Sequence, residues 1–175
     1  YNVYLNDPRN INLGKKLITD KKILIEKDKL KEINETEYHE ILIKNTTPYS
    51  PFDILENKSL LLENNFDNLN AIDWDKGCYV GQEITARMKY RGLLKKKLYA
   101  LKIKSGDVLE GDELIVDNTK IGTIVSKANS NIFAALNINF VNEIKNKNQN
   151  LVINDSLSFD FLNWKFFSVK TYWNY

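Results

Sequence analysis

The chain has 175 residues, enough to bury a core, and its 43% apolar and 27% charged residues exclude a disordered chain. Lysine and arginine total 25 against 23 acidic residues, and this near balance argues against direct nucleic-acid binding. With one cysteine, Cys78, and one histidine, His39, the chain cannot form an intrachain disulfide or a structural zinc site. We therefore predict a reducing compartment and no metal ligands.

The apolar runs and the first residues of the sequence indicate whether the chain enters a membrane or is secreted. No apolar run approaches the roughly 20 residues that a membrane-spanning helix needs, and residues 1–10 lack the pattern of a signal peptide. The sequence therefore predicts no membrane partner. The chain begins with Tyr1, and its one methionine is the internal Met88, so we expect that a front portion of the natural protein is missing.

The first half of the chain has the mixed pattern of an α+β segment. Alternating apolar residues predict short strands at 1–5, 13–18 and 21–27. The helical spacing of Tyr38, Ile41 and Leu42 predicts a helix after a charged linker, and Thr36 is suited to cap its start. His39 falls within this helix and is predicted to be a surface residue.

Beyond Gly92, six apolar runs alternate with turn sequences about every ten residues, as in a small antiparallel barrel or sandwich. The runs lie at 98–104, 113–117, 120–127, 132–138, 150–153 and 157–161. We therefore predict two domains, 1–92 and 93–175. The last part of the chain is rich in aromatic residues, which we expect to close the barrel core rather than to stack on a ligand: Phe159, Phe161, Trp164, Phe166, Phe167, Tyr172 and Trp173.

The segment 76–92, KGCYVGQEITARMKYRG, holds the only cysteine, the only methionine and two of the three arginines. Its glycines predict a constrained loop that leads into a helix beginning near Gln82. On that helix Glu83, Arg87 and Arg91 recur every four residues on one face, a pattern that by itself is typical of an ordinary exposed ion pair. Because lysine supplies the other 22 basic residues, however, an arginine here indicates a site that needs a planar, bidentate cation.

Cys78 precedes the predicted helix and lies two residues from Lys76. The helix dipole and the lysine ammonium both favour a thiolate, which predicts a reactive cysteine, while a small buried residue is an equal alternative. His39 is too far away in the sequence to suggest a Cys-His pair. The lysines at 95–97 are predicted to lie on a solvated edge strand, and an RNA-binding barrel surface is the weaker alternative.

Residues 76–83, Lys-Gly-Cys-Tyr-Val-Gly-Gln-Glu, resemble the K-G-C-Y-x-G-Q-E signature of the YgfZ folate-binding family. Residues 7–9, Asp-Pro-Arg, with Leu13-Gly14, resemble a second, weaker element of that family, and Leu62-Glu63 resembles a third. The resemblance implies an α+β fold: a partial ferredoxin-like domain followed by a small antiparallel β-barrel. This fold is related to that of the glycine-cleavage T-protein, an aminomethyltransferase.

The resemblance also implies a function, a folate-binding accessory protein that supports iron-sulfur cluster assembly or repair and some tRNA modification. Its implied cofactor is tetrahydrofolate, and its implied partners are folate and iron-sulfur client or assembly proteins in the cytoplasm or, alternatively, the mitochondrial matrix. The implied reactive pair is Cys78 and Lys76. The residues implied to bind folate are Glu63, Tyr79, Gln82, Glu83, Arg87 and Arg91.

The sequence departs from the family pattern at Lys16, where an arginine is usual, and at 44–48, which lacks the usual Gly-Ile-Pro. The family also carries a front portion that helps to form the folate cavity. Whether the protein is an enzyme stays open. The alternative function is an aminomethyltransferase-like one-carbon transfer that uses tetrahydrofolate.

Overall fold

The computed structural model describes residues 2–20, 31–147, 149–153 and 156–162. These ranges contain the following elements: β1 (Asn2–Asn6), a single 3-10 turn (Ile11–Leu13), β2 (Lys15–Thr19), α1 (Glu35–Lys44), α2 (Gln82–Tyr90), β3 (Lys96–Ser105), β4 (Glu113–Val116), β5 (Thr119–Ala128), β6 (Asn131–Asn137), α3 (Ile138–Asn146), β7 (Leu151–Ile153) and β8 (Leu157–Phe161). The fold is α+β, as predicted.

Strands β3 to β8 form one antiparallel sheet in the order β4-β5-β6-β3-β8-β7. The outer strands β4 and β7 approach within 8 Å between Cα atoms, so the sheet is a nearly closed barrel. Alternate residues of each strand face inward and bury the core, which includes Tyr99, Leu101, Ile124, Leu136, Leu151, Phe159 and Phe161. The predicted barrel is confirmed, together with the burial of Phe159 and Phe161. The other aromatic residues of that prediction lie outside the described residues.

The described part of the predicted first domain is a two-stranded antiparallel hairpin, β1 and β2, followed by α1, a long series of turns and α2. This arrangement does not confirm a ferredoxin-like domain. The strand predicted at 21–27 lies outside the described residues. No helix in the described part of the chain is long and apolar enough to span a membrane.

Helix α1 begins one residue after Asn34, and the prediction of Thr36 as its cap is wrong by two positions. The Asn34 side chain accepts a hydrogen bond from the Glu37 amide at 2.8 Å, and the Glu37 carboxylate accepts one from the Asn34 amide at 3.0 Å. This reciprocal pair is a capping box, which satisfies two donors that would otherwise be free. Thr36 lies within the first turn, where its hydroxyl has no such role.

Helix α3 was not predicted, because its first residue, Ile138, continues the apolar run of β6. The Asn137 side chain ends the strand by accepting hydrogen bonds from the amides of Asn139 and Phe140. Val141 and Ile144 then bury one face of the helix against the barrel core. Their spacing of three is the signal that indicates a helix.

Residues of the two predicted domains pack against each other. Ile43 of α1 packs with Leu98, Ala100, Ala128 and Phe133 of the barrel. Strand β3 lies between β6 and β8, but β8 pairs with it only from Leu101 onward, so residues 96–97 pair with β6 alone. Lys95 and Lys96 are exposed, as predicted for a solvated edge, whereas Lys97 is half-buried and lies 3.3 Å from the Asp67 carboxylate. The boundary between Gly92 and Lys95 stays a prediction.

Candidate functional site

The segment 76–92 forms an exposed loop followed by α2, which begins at Gln82 as predicted. Gly81 precedes the helix with φ of +88°, in the left-handed region that favours glycine. It has no side chain to cap the helix, but the Gln82 amide donates to the Tyr79 carbonyl at 3.2 Å. The sequence therefore turns sharply at Gly81, and the residues before it face solvent.

Cys78 is an exposed free thiol, and the alternative of a small buried residue is wrong for the described chain. Its neighbours Tyr79 and Val80 are exposed as well. The Lys76 ammonium lies 3.6 Å from the Asp73 carboxylate, and 77% of the Lys76 side chain is exposed. The loop thus presents a thiol and an ion-paired lysine to solvent.

The arginines of this segment are exposed, and one of them pairs within its own helix. The Arg87 guanidinium lies 2.7 Å from the Glu83 carboxylate, and both side chains are more than half exposed. Arg91 caps the end of α2 through its backbone, whose N–H donates to the Arg87 carbonyl, and its side chain faces solvent. The observed Arg87 contact therefore stabilises α2 rather than the Cys78 loop.

Replacing Arg87 by lysine is expected to change the free energy of unfolding by at most about 0.5 kcal/mol, because exposed i,i+4 pairs contribute little. Urea unfolding of the two proteins measures this difference. A loss of several kcal/mol would show that the guanidinium has a structural partner, and the argument from the scarcity of arginine would then concern folding instead of binding.

Glu63, a predicted folate-binding residue, contacts the barrel. Its carboxylate is 17% exposed and lies 3.3 Å from the Lys96 ammonium. Its carbonyl accepts a hydrogen bond from the Leu98 amide at 2.8 Å, which ties the preceding loop to β3. Glu63 is therefore held in place, while Gln82 is half-buried and the other six predicted residues are exposed.

Three residues next to the loop form a cluster that the sequence did not reveal. The Lys89 ammonium lies 3.5 Å from the centre of the Trp74 ring and 5.5 Å from that of Tyr90. The Trp74 and Tyr90 rings meet edge to face at 6.3 Å. We call Trp74, Lys89 and Tyr90 the clasp, because they join the chain before the loop to the end of α2.

A second missed cluster joins α1 to the barrel. The buried Asp53 carboxylate lies 2.8 Å from the Nε2 atom of His39 and accepts hydrogen bonds from the Ser126 hydroxyl and, at 2.7 Å, from the Tyr49 amide. His39 is only 6% exposed, so its prediction as a surface residue is wrong. Its spacing from the buried Leu42 and Ile43 places it on the inner face of the helix.

A third cluster lies in the Asp-Pro-Arg turn. The Arg9 guanidinium donates two hydrogen bonds to the Asp7 carboxylate, at 2.9 and 2.7 Å, and the Lys16 ammonium lies 3.3 Å from it. Asp7 is 5% exposed, and the hydrogen bond from Arg9 holds its pKa well below the usual range of an aspartate. The scarce arginine thus makes the bidentate contact that its chemistry favours.

In the described ranges, no group of three histidine, cysteine or acidic side chains could hold a metal ion. Asp53 and Asp7 are both fully engaged in hydrogen bonds that link segments of the chain. Cys78 is an accessible thiol in the loop that ends at Gly81, and Lys76 of the same loop is exposed and paired with Asp73.

Comparison with known proteins finds no family profile that matches the chain. The chain is 33% identical over 121 residues to a Dictyostelium discoideum protein described as "Iron-sulfur cluster assembly factor IBA57 homolog, mitochondrial". That match covers 65% of this chain and 30% of the relative.

Mammalian proteins described as "Iron-sulfur cluster assembly factor IBA57, mitochondrial" match as well. The mouse protein is 31% identical and the human protein 29% identical, each over 102 residues. Each match covers 57% of this chain and 28% of the relative. The chain thus spans less than a third of the length of these curated relatives, and its homologues are proteins named as mitochondrial iron-sulfur cluster assembly factors.

Proposed function

We propose that this chain is part of an iron-sulfur cluster assembly factor. The observation that carries the proposal is its similarity, at 33% identity over 121 residues, to a protein named for that role. The relatives are named as mitochondrial, so they support the mitochondrial alternative and give no support to a cytoplasmic location. Iron-sulfur client or assembly proteins are the partners that this proposal requires.

Within this function we propose Cys78 as the reactive group. It is the only thiol of the chain and it is accessible to a partner, as a group that meets a client protein must be. Lys76 lies two residues away and is paired with Asp73, so it supplies a polar edge to the loop. A thiol in such a loop can act as a nucleophile or bind a soft metal of a transferred cluster.

We propose tetrahydrofolate binding only for the longer protein. A folate site must enclose an aromatic ring system, whereas four of the six residues predicted to bind folate are exposed in the described chain. Glu63, which is held by Lys96, and the exposed arginines fit one wall of such a site and do not fit a complete one.

Calorimetric titration of tetrahydrofolate distinguishes one wall of a folate site from a complete site. We expect little heat from the 175-residue chain and saturable binding by a protein of the relatives' full length. The aminomethyltransferase alternative, a role in tRNA modification and the RNA-binding surface stay predictions that no observation of this chain favours.

Replacing Cys78 by serine is expected to abolish iron-sulfur enzyme activity in cells that depend on the full-length protein for cluster assembly. The free energy of unfolding should change by no more than about 0.5 kcal/mol, because the side chain is exposed. Activities of iron-sulfur enzymes and their iron content, measured in cell extracts, report the functional loss.

A matched control moves the thiol instead of removing it. The double variant Cys78→Ser, Ser130→Cys places a thiol at an exposed turn of the barrel and should leave the cells as deficient as Cys78→Ser alone. Normal enzyme activity in the Cys78→Ser cells would refute the reactive role of Cys78. Normal activity in cells that lack the protein altogether would refute the proposed function itself.

A further inference from the structure

The clasp of Trp74, Lys89 and Tyr90 lies at both ends of the segment that carries Cys78. From its geometry we infer that Lys89 and Trp74 are positioning residues, which hold the Cys78 loop in one place relative to α2. This inference deepens the proposed function and rests on it only in so far as Cys78 is the reactive group. The contacts of the clasp themselves do not depend on that role.

The path of the chain brings the two ends of this segment together. Seven residues, 75–81, connect Trp74 to the start of α2 at Gln82, and the helix then returns to Lys89, which contacts Trp74. Between Gln82 and Lys89 the helix rises roughly 10 Å. Residues 75–81 must therefore run back along the helix, and the clasp closes the resulting loop at its base.

Besides the clasp, contacts at the start and at the end of the loop also hold it. Near its start, the Asp73 side chain accepts a hydrogen bond from the Asp75 amide at 3.1 Å and pairs with Lys76. At its end, the Gln82 amide donates to the Tyr79 carbonyl. These contacts are local in sequence, and the side chains of Cys78, Tyr79 and Val80 are exposed. The position of the loop along α2 thus depends on the clasp.

The strength of the clasp follows from its geometry. The Lys89 ammonium lies 3.5 Å from the centre of the Trp74 ring, within the distance at which a cation is attracted to an aromatic face. Partial burial lowers the pKa of Lys89, and the nearby carboxylates of Asp67 and Asp75 oppose that shift. A cation–π contact near the surface corresponds to a factor of about 2 to 5 in the equilibrium between a closed and an open loop.

A spin label on Cys78 tests the inference directly, because the 175-residue chain has no other cysteine. In the Lys89→Met variant the fraction of mobile label in the electron paramagnetic resonance spectrum should rise about 2- to 5-fold. Lys89→Arg keeps the cation and should restore the restricted spectrum, whereas Trp74→Leu should resemble Lys89→Met. Lys102→Met, which removes an exposed lysine of β3, should leave the spectrum unchanged.

The outcomes separate positioning from stability and from the proposed function. The thermal midpoint of Lys89→Met should fall by less than about 4 °C, so a mobile label in a folded protein supports the inference. An unchanged spectrum for Lys89→Met, or equal mobility in Lys89→Arg, would overturn it. Cys78→Ser cells could keep normal iron-sulfur enzyme activities while the label on Cys78 still becomes mobile in Lys89→Met. That result would refute the reactive role of the thiol and would still support the positioning role of the clasp.

Discussion

Replacing Asp53 by alanine is expected to lower the free energy of unfolding by about 3 to 5 kcal/mol. Asp53 is 1% exposed, and its carboxylate accepts hydrogen bonds from His39, Ser126 and the Tyr49 amide. Alanine would leave the buried donors of His39 and Ser126 without this acceptor, and the Tyr49 amide would lose its partner. Because His39 lies on α1 and Ser126 on β5, the change would also weaken the attachment of the helix to the barrel, which Ile43 would still hold.

Urea unfolding followed by far-ultraviolet circular dichroism measures this loss. Asp107→Ala is the matched control, since Asp107 is an exposed aspartate that pairs with Lys127 on the same strand as Ser126. The control should be far less destabilised. Equal effects of the two substitutions would show that the Asp53 network does not join the two parts of the chain.

The barrel could be predicted from sequence because its strands are apolar runs, most of which are bounded by turn residues. Runs such as 98–104 and 120–127 meet these criteria without reference to any distant residue, and the structure forms strands over both. Helix α3 escaped prediction because β6 runs directly into it at Asn137, with no glycine or proline between them. Local pattern predicts elements well and their junctions poorly.

For the candidate site, the sequence predicts the position of the loop but not the contacts around it. Its position on a loop before α2 follows from the glycines and the helical spacing, and both were readable in the sequence. The contacts of His39 with Asp53 and of Lys89 with Trp74 join residues 14 and 15 positions apart, and no periodic pattern encodes them. A single histidine or lysine carries the same local signal whether it faces solvent or a ring.

The scarcity of arginine was informative in a way that depended on position. Arg9, one of the three arginines, makes a largely buried bidentate contact with Asp7. At Arg87 the same reasoning led to an exposed pair within one helix. The residue type indicates the geometry that a site needs, but burial decides whether the contact contributes much to stability.

Replacing Asp7 by asparagine is expected to lower the free energy of unfolding by about 3 kcal/mol near neutral pH, because it breaks a largely buried ion pair. Asp7 is 3% exposed in its side chain and Arg9 is 22% exposed. Asparagine keeps the shape of the side chain but not the charge, so the Arg9 guanidinium and the Lys16 ammonium lose their shared partner.

The loss of unfolding free energy in Asp7→Asn is expected to depend on pH. Arg9 lowers the pKa of Asp7 in the folded protein below its value of about 4 in the unfolded chain, so the contribution is fully present above pH 4. It is lost as the pH falls below that value and the folded carboxylate takes up a proton. The difference in unfolding free energy between the wild type and Asp7→Asn should therefore shrink as the pH is lowered from about 6 to about 2.

Urea unfolding of both proteins across this pH range measures the difference directly. Glu113→Gln serves as the control, because Glu113 pairs with Lys120 where both side chains are about half exposed, and it should cost at most about 1 kcal/mol. A difference for Asp7→Asn that stays constant down to pH 2 would mean that the carboxylate does not act through its charge. The difference would then come from the hydrogen-bonding geometry that asparagine changes, and not from the charge of Asp7.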